Sequence, residues 1–215
     1  MKRPLLPAAA LAFGLFHATP AAAQVLGQKG DAIFSAERLF GVRGEHWVEH
    51  HPLPEGTTEV TDTIIAFGFA TGHVPYNIPR LAFDYLVIDK LSVGGSLGFS
   101  LSNAETNNNL TYVAPTTFMI APRVGYLHMF GRVAGIWPRG GFTYHSSSVD
   151  GAYKESGLGL NLECMFPIVM AEHFGAELGL AFDQSLTAKR DPDNGVAYDI
   201  SYRSIALHVG LFGWI

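Results

Sequence analysis

Residues Leu91 to Ser102 read LSVGGSLGFSLS and alternate strictly. Leu91, Val93, Leu97, Phe99 and Leu101 take one face, and Ser92, Gly94, Ser96, Gly98, Ser100 and Ser102 take the other. Alternation over this length is a β-strand with one apolar face and one face of small polar residues. A soluble sandwich buries its apolar face and shows charge outside. Here the second face is too small and too nearly uncharged for that. It suits the crowded interior of a narrow barrel whose outside is apolar.

The rest of the chain is equally sparing of charge. Of its 215 residues, 48% are apolar and 15% charged, against roughly 25% charged in soluble domains. Yet beyond the N-terminal segment no run of ~18 consecutive apolar residues offers a transmembrane helix. High apolarity divided among short alternating segments is the signature of a membrane-spanning β-barrel. The N-terminus reads Met1-Lys2-Arg3, an apolar stretch from Leu5 to Phe16 that holds Pro7, then Ala21-Ala22-Ala23. A charged start, a short apolar run and small residues predict a signal peptide over 1–23, cleaved on export, with 24–215 as a single domain. The only cysteine, Cys164, lies far from that site, which excludes a lipid-bearing cysteine there and an internal disulfide. Loss of Lys2 and Arg3 lowers the 14 basic residues to 12, against 19 acidic ones. That balance argues against nucleic acid as a partner.

Alternating segments recur at Ala32–Val42, Thr63–Ala70, Arg80–Val87, Leu91–Ser102, Thr117–Leu127, Val133–Tyr144, Gly157–Phe166, Phe174–Asp183 and Ile200–Ile215. Their connections alternate in length. Asp89-Lys90 and His128–Arg132 are short and Phe166–His173 is intermediate, whereas Asn103–Thr116, His145–Ser156 and Gln184–Asp199 are long and rich in Asn, Ser, Gly or Asp. Short turns at one end and long loops at the other are the pattern of periplasmic turns and extracellular loops. The fold expected is therefore all-β, an antiparallel up-and-down transmembrane barrel. Counting back from a last strand that ends in the periplasm gives eight strands, with Ala32–Val42 first. Gly44–Pro79 is then a long first loop that carries Thr63–Ala70 as an extension or plug. If Thr63–Ala70 spans as well, parity raises the number to ten.

At the C-terminus Ile205, Leu207, Val209 and Leu211 alternate, with Phe212 and Trp214 close to the end. With the strand and loop pattern, this resembles the small outer-membrane β-barrels of the OmpA membrane domain and OmpX kind. In that family the last residue is usually aromatic and helps the insertion machinery; here it is Ile215. The resemblance implies the outer membrane of a Gram-negative bacterium and a monomer. Its partners are then outer-membrane lipid and lipopolysaccharide, and the barrel-insertion machinery during biogenesis.

Charges inside strands carry the next inference, because Arg or Lys facing lipid at mid-depth costs roughly 2–4 kcal/mol. Asp84, Arg123, Arg139, Glu163 and Glu177 should therefore point inward, and Glu37 and His208 fall at a similar height. Paired charges and small residues would fill and seal the lumen; a gated ion or proton path is the alternative. If Asp84 faces in, Leu81, Phe83, Tyr85 and Val87 face lipid and must pair with Leu91, Val93, Gly95 and Leu97. Opposed residues share a face, so the loop between them should hold three residues, Ile88-Asp89-Lys90. Tyr126, Tyr144, Phe166, Phe174, Phe182, Tyr202, Phe212 and Trp214, near strand ends, suit interfacial girdles.

His46-Trp47-Val48-Glu49-His50 has zinc-peptidase spacing, but that chemistry needs a helix. Gly41, Gly44, Pro52 and Pro54 close by oppose one. His46, His50 and His51 remain candidates for metal binding from an exposed loop. Tyr144-His145-Ser146-Ser147-Ser148 sets a histidine beside serines, with Glu155 or Asp150 as a possible orienting acid. Asn103–Asn109 and Asp191–Gly195 read as surface loops, and the latter lacks a full calcium-loop spacing. Together these features point to a non-catalytic barrel with a packed polar lumen, no cofactor, and a structural or surface-interaction role. Three alternatives stand: a small pore, a lipid-modifying enzyme using His145 and a nearby serine, and a soluble periplasmic ligand-binding barrel. The last would turn Leu91, Val93, Leu97, Phe99 and Leu101 inward.

Overall fold

The computed structural model describes residues 26–52, 56–67, 75–101, 104–107, 110–113 and 115–215. The expected signal peptide over 1–23 lies outside the described residues. The strands are β1 (Ala32–His50), β2 (Thr57–Phe67), β3 (Arg80–Ile88), β4 (Leu91–Ser100), β5 (Ala104–Asn107), β6 (Leu110–Val113), β7 (Thr116–Tyr126), β8 (His128–Phe130), β9 (Ala134–Val149), β10 (Tyr153–Ala171), β11 (Phe174–Pro192) and β12 (Tyr198–Trp214). Eight of them close an antiparallel ring in the order β1-β3-β4-β7-β9-β10-β11-β12, and β12 pairs back onto β1 from Ile33↔Trp214 to His50↔Asp199. β8 continues β7 along β9, and β5 pairs with β6 as a separate hairpin.

The outward face of each stave is apolar. Leu81, Phe83, Val93, Leu97, Phe99, Leu101, Phe118, Ile120, Val124, Phe142, Leu162, Leu178, Leu180, Ile205 and Leu207 are all exposed. An apolar wall of this extent is the surface of a barrel that sits in lipid. It removes the soluble reading, because Val93, Leu97, Phe99 and Leu101 face out rather than in. The upper edge of the belt runs through Val42, Phe99, Phe118, Tyr144, Leu158, Phe182 and Ile205. Above it the outward positions turn polar: His46, Ser146, Ser156, Lys154, Lys189 and Arg203. Leu26, where the described residues begin, Ile215 and the tight turns lie at the opposite, periplasmic end.

Several sequence expectations need correction. β3 and β4 are joined by Asp89-Lys90 alone rather than by three residues. Asp84 still faces in, opposite Gly94, because a register shift between Leu86 and Ile88 absorbs the odd residue as a bulge at Val87. Lys90 takes φ 69°, donates its N–H to Gly27 O and accepts from Leu127 N. The expected loops His145–Ser156 and Gln184–Asp199 are largely strand. β9 and β10 pair up to Val149↔Tyr153, and β11 runs to Pro192. Their small polar residues suit a wall that has risen above lipid, where neither face needs to be apolar. Thr63–Phe67 belongs to β2, which pairs with the upper half of β1 and widens the wall above β3; residues 68–70 lie outside the described ones. A later part of that connection, a 3-10 turn at Pro75–Asn77, is buried in the lumen. Of the expected girdle aromatics, Tyr202, Phe212 and Trp214 are buried inside. They share parity with Ser204 and His208, which the lumen holds.

Candidate functional site

The lumen is filled in tiers. At the periplasmic end Leu26, Ile33, Leu86, Leu127, Trp137, Met165, Phe212 and Trp214 form one buried apolar cluster. The segment entering β1 closes it from below: Asp31 Oδ2 accepts from Gly27 N and Gln28 N at 2.8 and 2.9 Å, and Gly30 N donates to Leu86 O.

Above this cluster lies a layer of charge. Arg123 on β7 donates Nη1 and Nη2 to Glu37 at 2.8 and 2.7 Å, and Nε and Nη2 to Asp84. Arg139 on β9 reaches Glu37 Oε1 and Glu163 Oε2, both at 2.8 Å. Arg38 donates to Glu163 Oε1 at 2.9 Å and to Asp183 Oδ2 at 2.8 Å. Asp183 also accepts from Asn161 Nδ2 at 2.8 Å, with Arg80 Nη2 at 3.7 Å. The structure thus brings Asp84, Arg123, Arg139 and Glu163 into one bonded group. Glu177 stands at its edge, 3.8 Å from Arg139 Nη1, and His208 is buried near the group with neither ring nitrogen hydrogen-bonded among the described residues. Small residues make room: a Cβ on Gly94 would lie 2.2 Å from Phe83 O, and one on Gly141 would lie 2.0 Å from Pro122 O.

Arg38, Arg80 and Asp183 were not singled out from the sequence. Asp183 continues the inward parity of Glu177, and that signal was available. Arg38 follows Glu37 directly, so strict alternation places it in lipid. A register shift between Ala36 and Phe40, with Arg38 at φ 56°, turns both neighbours inward. Arg80 opens β3 beside the inserted turn, whose Tyr76 carbonyl accepts from Arg80 at 2.7 Å and from Arg38 at 2.6 Å.

The next tier is aromatic and apolar: Trp47, Tyr76, Ile78, Met119, Ala188, Ile200 and Tyr202. Tyr76 packs edge-on against His145 and Tyr202, with ring centroids 5.3 and 6.2 Å apart. Over it, above the belt, Arg190 donates to Glu155 Oε2 at 2.8 Å, to the Tyr202 hydroxyl at 3.0 Å and to Glu49. Its guanidinium lies 4.4 Å from the Tyr153 ring centroid. Burial alone would raise the Glu155 carboxyl, but the His145 hydrogen bond and the Arg190 charge outweigh it and hold Glu155 below the ordinary carboxylate range.

The other sequence candidates are placed apart. His46 and His50 lie on a strand, not a helix, four residues and about 13 Å apart along β1. His46 Nε2 meets Glu59 Oε1 at 2.7 Å, while His51 pairs with Glu49 at 3.2 Å. Among the described residues no group of three or more His, Cys, Asp or Glu converges on a metal position. His145 faces the lumen and binds Glu155 at 3.1 Å. Ser147, on the same face, shares its hydrogen bond with Thr117 at 2.9 Å instead. A histidine and its acid are present, and among the described residues no serine hydrogen-bonds to either side chain.

Comparison with known proteins places this arrangement within a fold. No family model matches the chain, and no curated protein matches it. Among solved structures, the outer membrane protein OprG from Pseudomonas aeruginosa matches with a TM-score of 0.53 at 14% identity, over 88% of this chain and 99% of that one. The outer membrane protein AlkL, solved by solid-state NMR in DMPC bilayers, matches with a TM-score of 0.60 at 12% identity, over 92% and 96%. At these identities the likeness is one of fold: this chain is built as a small outer-membrane β-barrel.

Proposed function

We infer that this chain is a non-catalytic outer-membrane protein whose lumen is sealed, acting through its wall and its outward end in a structural or surface-interaction role. The observation that carries this reading is the charge layer. Arg123, Arg139, Glu37 and Glu163 have side chains no more than 1% exposed and are engaged with one another. Charges that line a water path keep solvent as a partner; charges locked in mutual pairs close it. The apolar cluster beneath supports the same conclusion. The ring also closes on itself, which favours a monomer, and the chain needs no cofactor for this role.

The test is single-channel recording of the purified, folded protein in planar bilayers. The expected result is no steady conductance from the wild type. A steady, charge-selective conductance that changes in Arg123→Ala would overturn the sealed reading and make the protein a pore.

A further inference from the structure

The wall parts between β11 and β12. β11 and β12 pair at Gln184↔Arg203 and again at Lys189↔Asp199, and between these pairs the ladder is broken. β11 stays with β10 there, with a second shift next to Leu158 and Gly159 that pushes Leu186 outward. At Tyr202 the parted backbone is satisfied by side chains: its N–H donates to Ser185 Oγ at 2.7 Å, and Gln184 Nε2 donates to its carbonyl at 3.2 Å. The same Gln184 accepts from Arg203 Nε at 2.8 Å through its Oε1. A gap that gives both backbone groups of Tyr202 dedicated partners is part of the fold rather than a fray.

This gap widens into a cavity of about 680 Å³. Its sides are Tyr144, Leu158 and Leu186, at the upper edge of the apolar belt. Its rim holds Lys189, His50 and Asp199. Its floor is closed. Gly157, Ala188 and Ile200 line it from inside, and a Cβ on Gly157 would already lie 2.6 Å from His145 Cε1 and 2.7 Å from Ala188 Cβ. Buried Tyr202 and Tyr76 stand behind. The groove therefore opens toward the membrane and not into the lumen. Among the described residues Lys189 forms no ion pair with any carboxylate, although Asp199 is its ladder partner. Arg203 and Lys154 face outward on the neighbouring staves.

We propose that this groove is a binding site for a phosphate-bearing, acylated lipid of the surrounding outer leaflet. One acyl chain lies along Leu158, Leu186 and Tyr144, where apolar surface meets it from the sides. The phosphate sits at the rim beside Lys189, where a cation and the polar edge of the bilayer coincide. The site deepens the reading above and rests on its orientation, with the loop end in the outer leaflet.

The test titrates the folded full-length mature chain in detergent with diphosphoryl lipid A and counts retained lipid by native mass spectrometry. Lipid A stripped of its phosphates, with the same acyl chains, is the comparison. One diphosphoryl lipid should be retained, and the dephosphorylated form should bind at least about tenfold more weakly, roughly 1.4 kcal/mol. Leu186→Trp, which fills the groove, and Lys189→Ser, which removes the cation, should each weaken retention about tenfold. Val124→Trp on the opposite wall should leave it unchanged. Both groove residues are exposed, and a gel shift on boiling verifies that each variant has folded. Equal retention of the two lipids, or retention indifferent to Leu186→Trp, would mean an ordinary lipid annulus and overturn the proposal. Protease digestion of intact cells reads the orientation separately: protection of the turns at 150–152 and 193–195 would sink that reading without altering the lipid count in detergent.

Discussion

Replacing Arg123 by methionine keeps an unbranched, flexible stem and removes the guanidinium with its charge. Four donated hydrogen bonds disappear, two to Glu37 and two to Asp84. Hydrogen bonds to charged groups contribute about 1.5–3 kcal/mol each, so the gross loss is on the order of 6–12 kcal/mol. The net loss is smaller, because Arg139 still holds Glu37 Oε1 at 2.8 Å and Arg123 no longer has to be desolvated. Breaking one side of a buried pair usually costs about 3–5 kcal/mol, and that is the destabilisation expected here. Urea unfolding of the protein in zwitterionic vesicles, followed by gel mobility and tryptophan fluorescence, measures it. Adding Glu37→Gln and Asp84→Asn to the same chain should recover most of the loss, since neutral amides need no cation. A loss below about 1 kcal/mol for Arg123→Met, or no recovery in the triple variant, would refute the claim that mutual pairing holds this layer.

Gly94→Ala places a Cβ 2.2 Å from Phe83 O and 2.6 Å from Asp84 Cα, so it should destabilise by about 1–3 kcal/mol; Gly44→Ala, with open space around it, should be close to neutral in the same unfolding assay. Lys90 sits at φ 69°, so Lys90→Gly should be neutral or stabilising by up to about 1 kcal/mol, and Lys90→Val should cost about 1–2 kcal/mol. Glu155 is held below its ordinary value of 4.5. Its contribution is therefore full above that value and is lost as pH falls through the lower, folded one. Acid titration of the folded barrel should show this loss, and Glu155→Gln should flatten it; an unchanged acid profile in the variant would remove Glu155 from the account.

The spanning parts were legible because lipid enforces alternation. In β4 and β12 every second residue must be apolar, and a reader needs only parity. Where the wall rises above lipid that demand lapses, and His145–Ser156 reads as loop although β9 and β10 pair along it. Bulges were the second blind spot. The shift at Val87 replaces a third loop residue, and the shift after Ala36 hides Arg38 beside Glu37. Parity arguments follow a register and fail wherever residues are added without a composition signal, one at Val87 and two after Ala36. Tyr202, Phe212 and Trp214 show a related limit: an aromatic near a strand end suits an interface equally well by type, and only its parity separates wall from lumen.

Several ion pairs of the lumen join staves that never touch in the ladder, while Arg139 and Glu163 pair between neighbouring β9 and β10. Arg38 on β1 reaches Asp183 on β11 and Glu163 on β10, and Glu37 on β1 holds Arg123 on β7 and Arg139 on β9. Each of these four ties to β1 crosses the barrel, so none can form until the first and last strands have met along the β1–β12 seam. Before that moment the sheet is open and these side chains must stay hydrated on its concave side. The free energy of these cross-barrel ties is then released at the final zipping step, which favours all-or-none closure and leaves a half-assembled sheet only its neighbour-to-neighbour pairs.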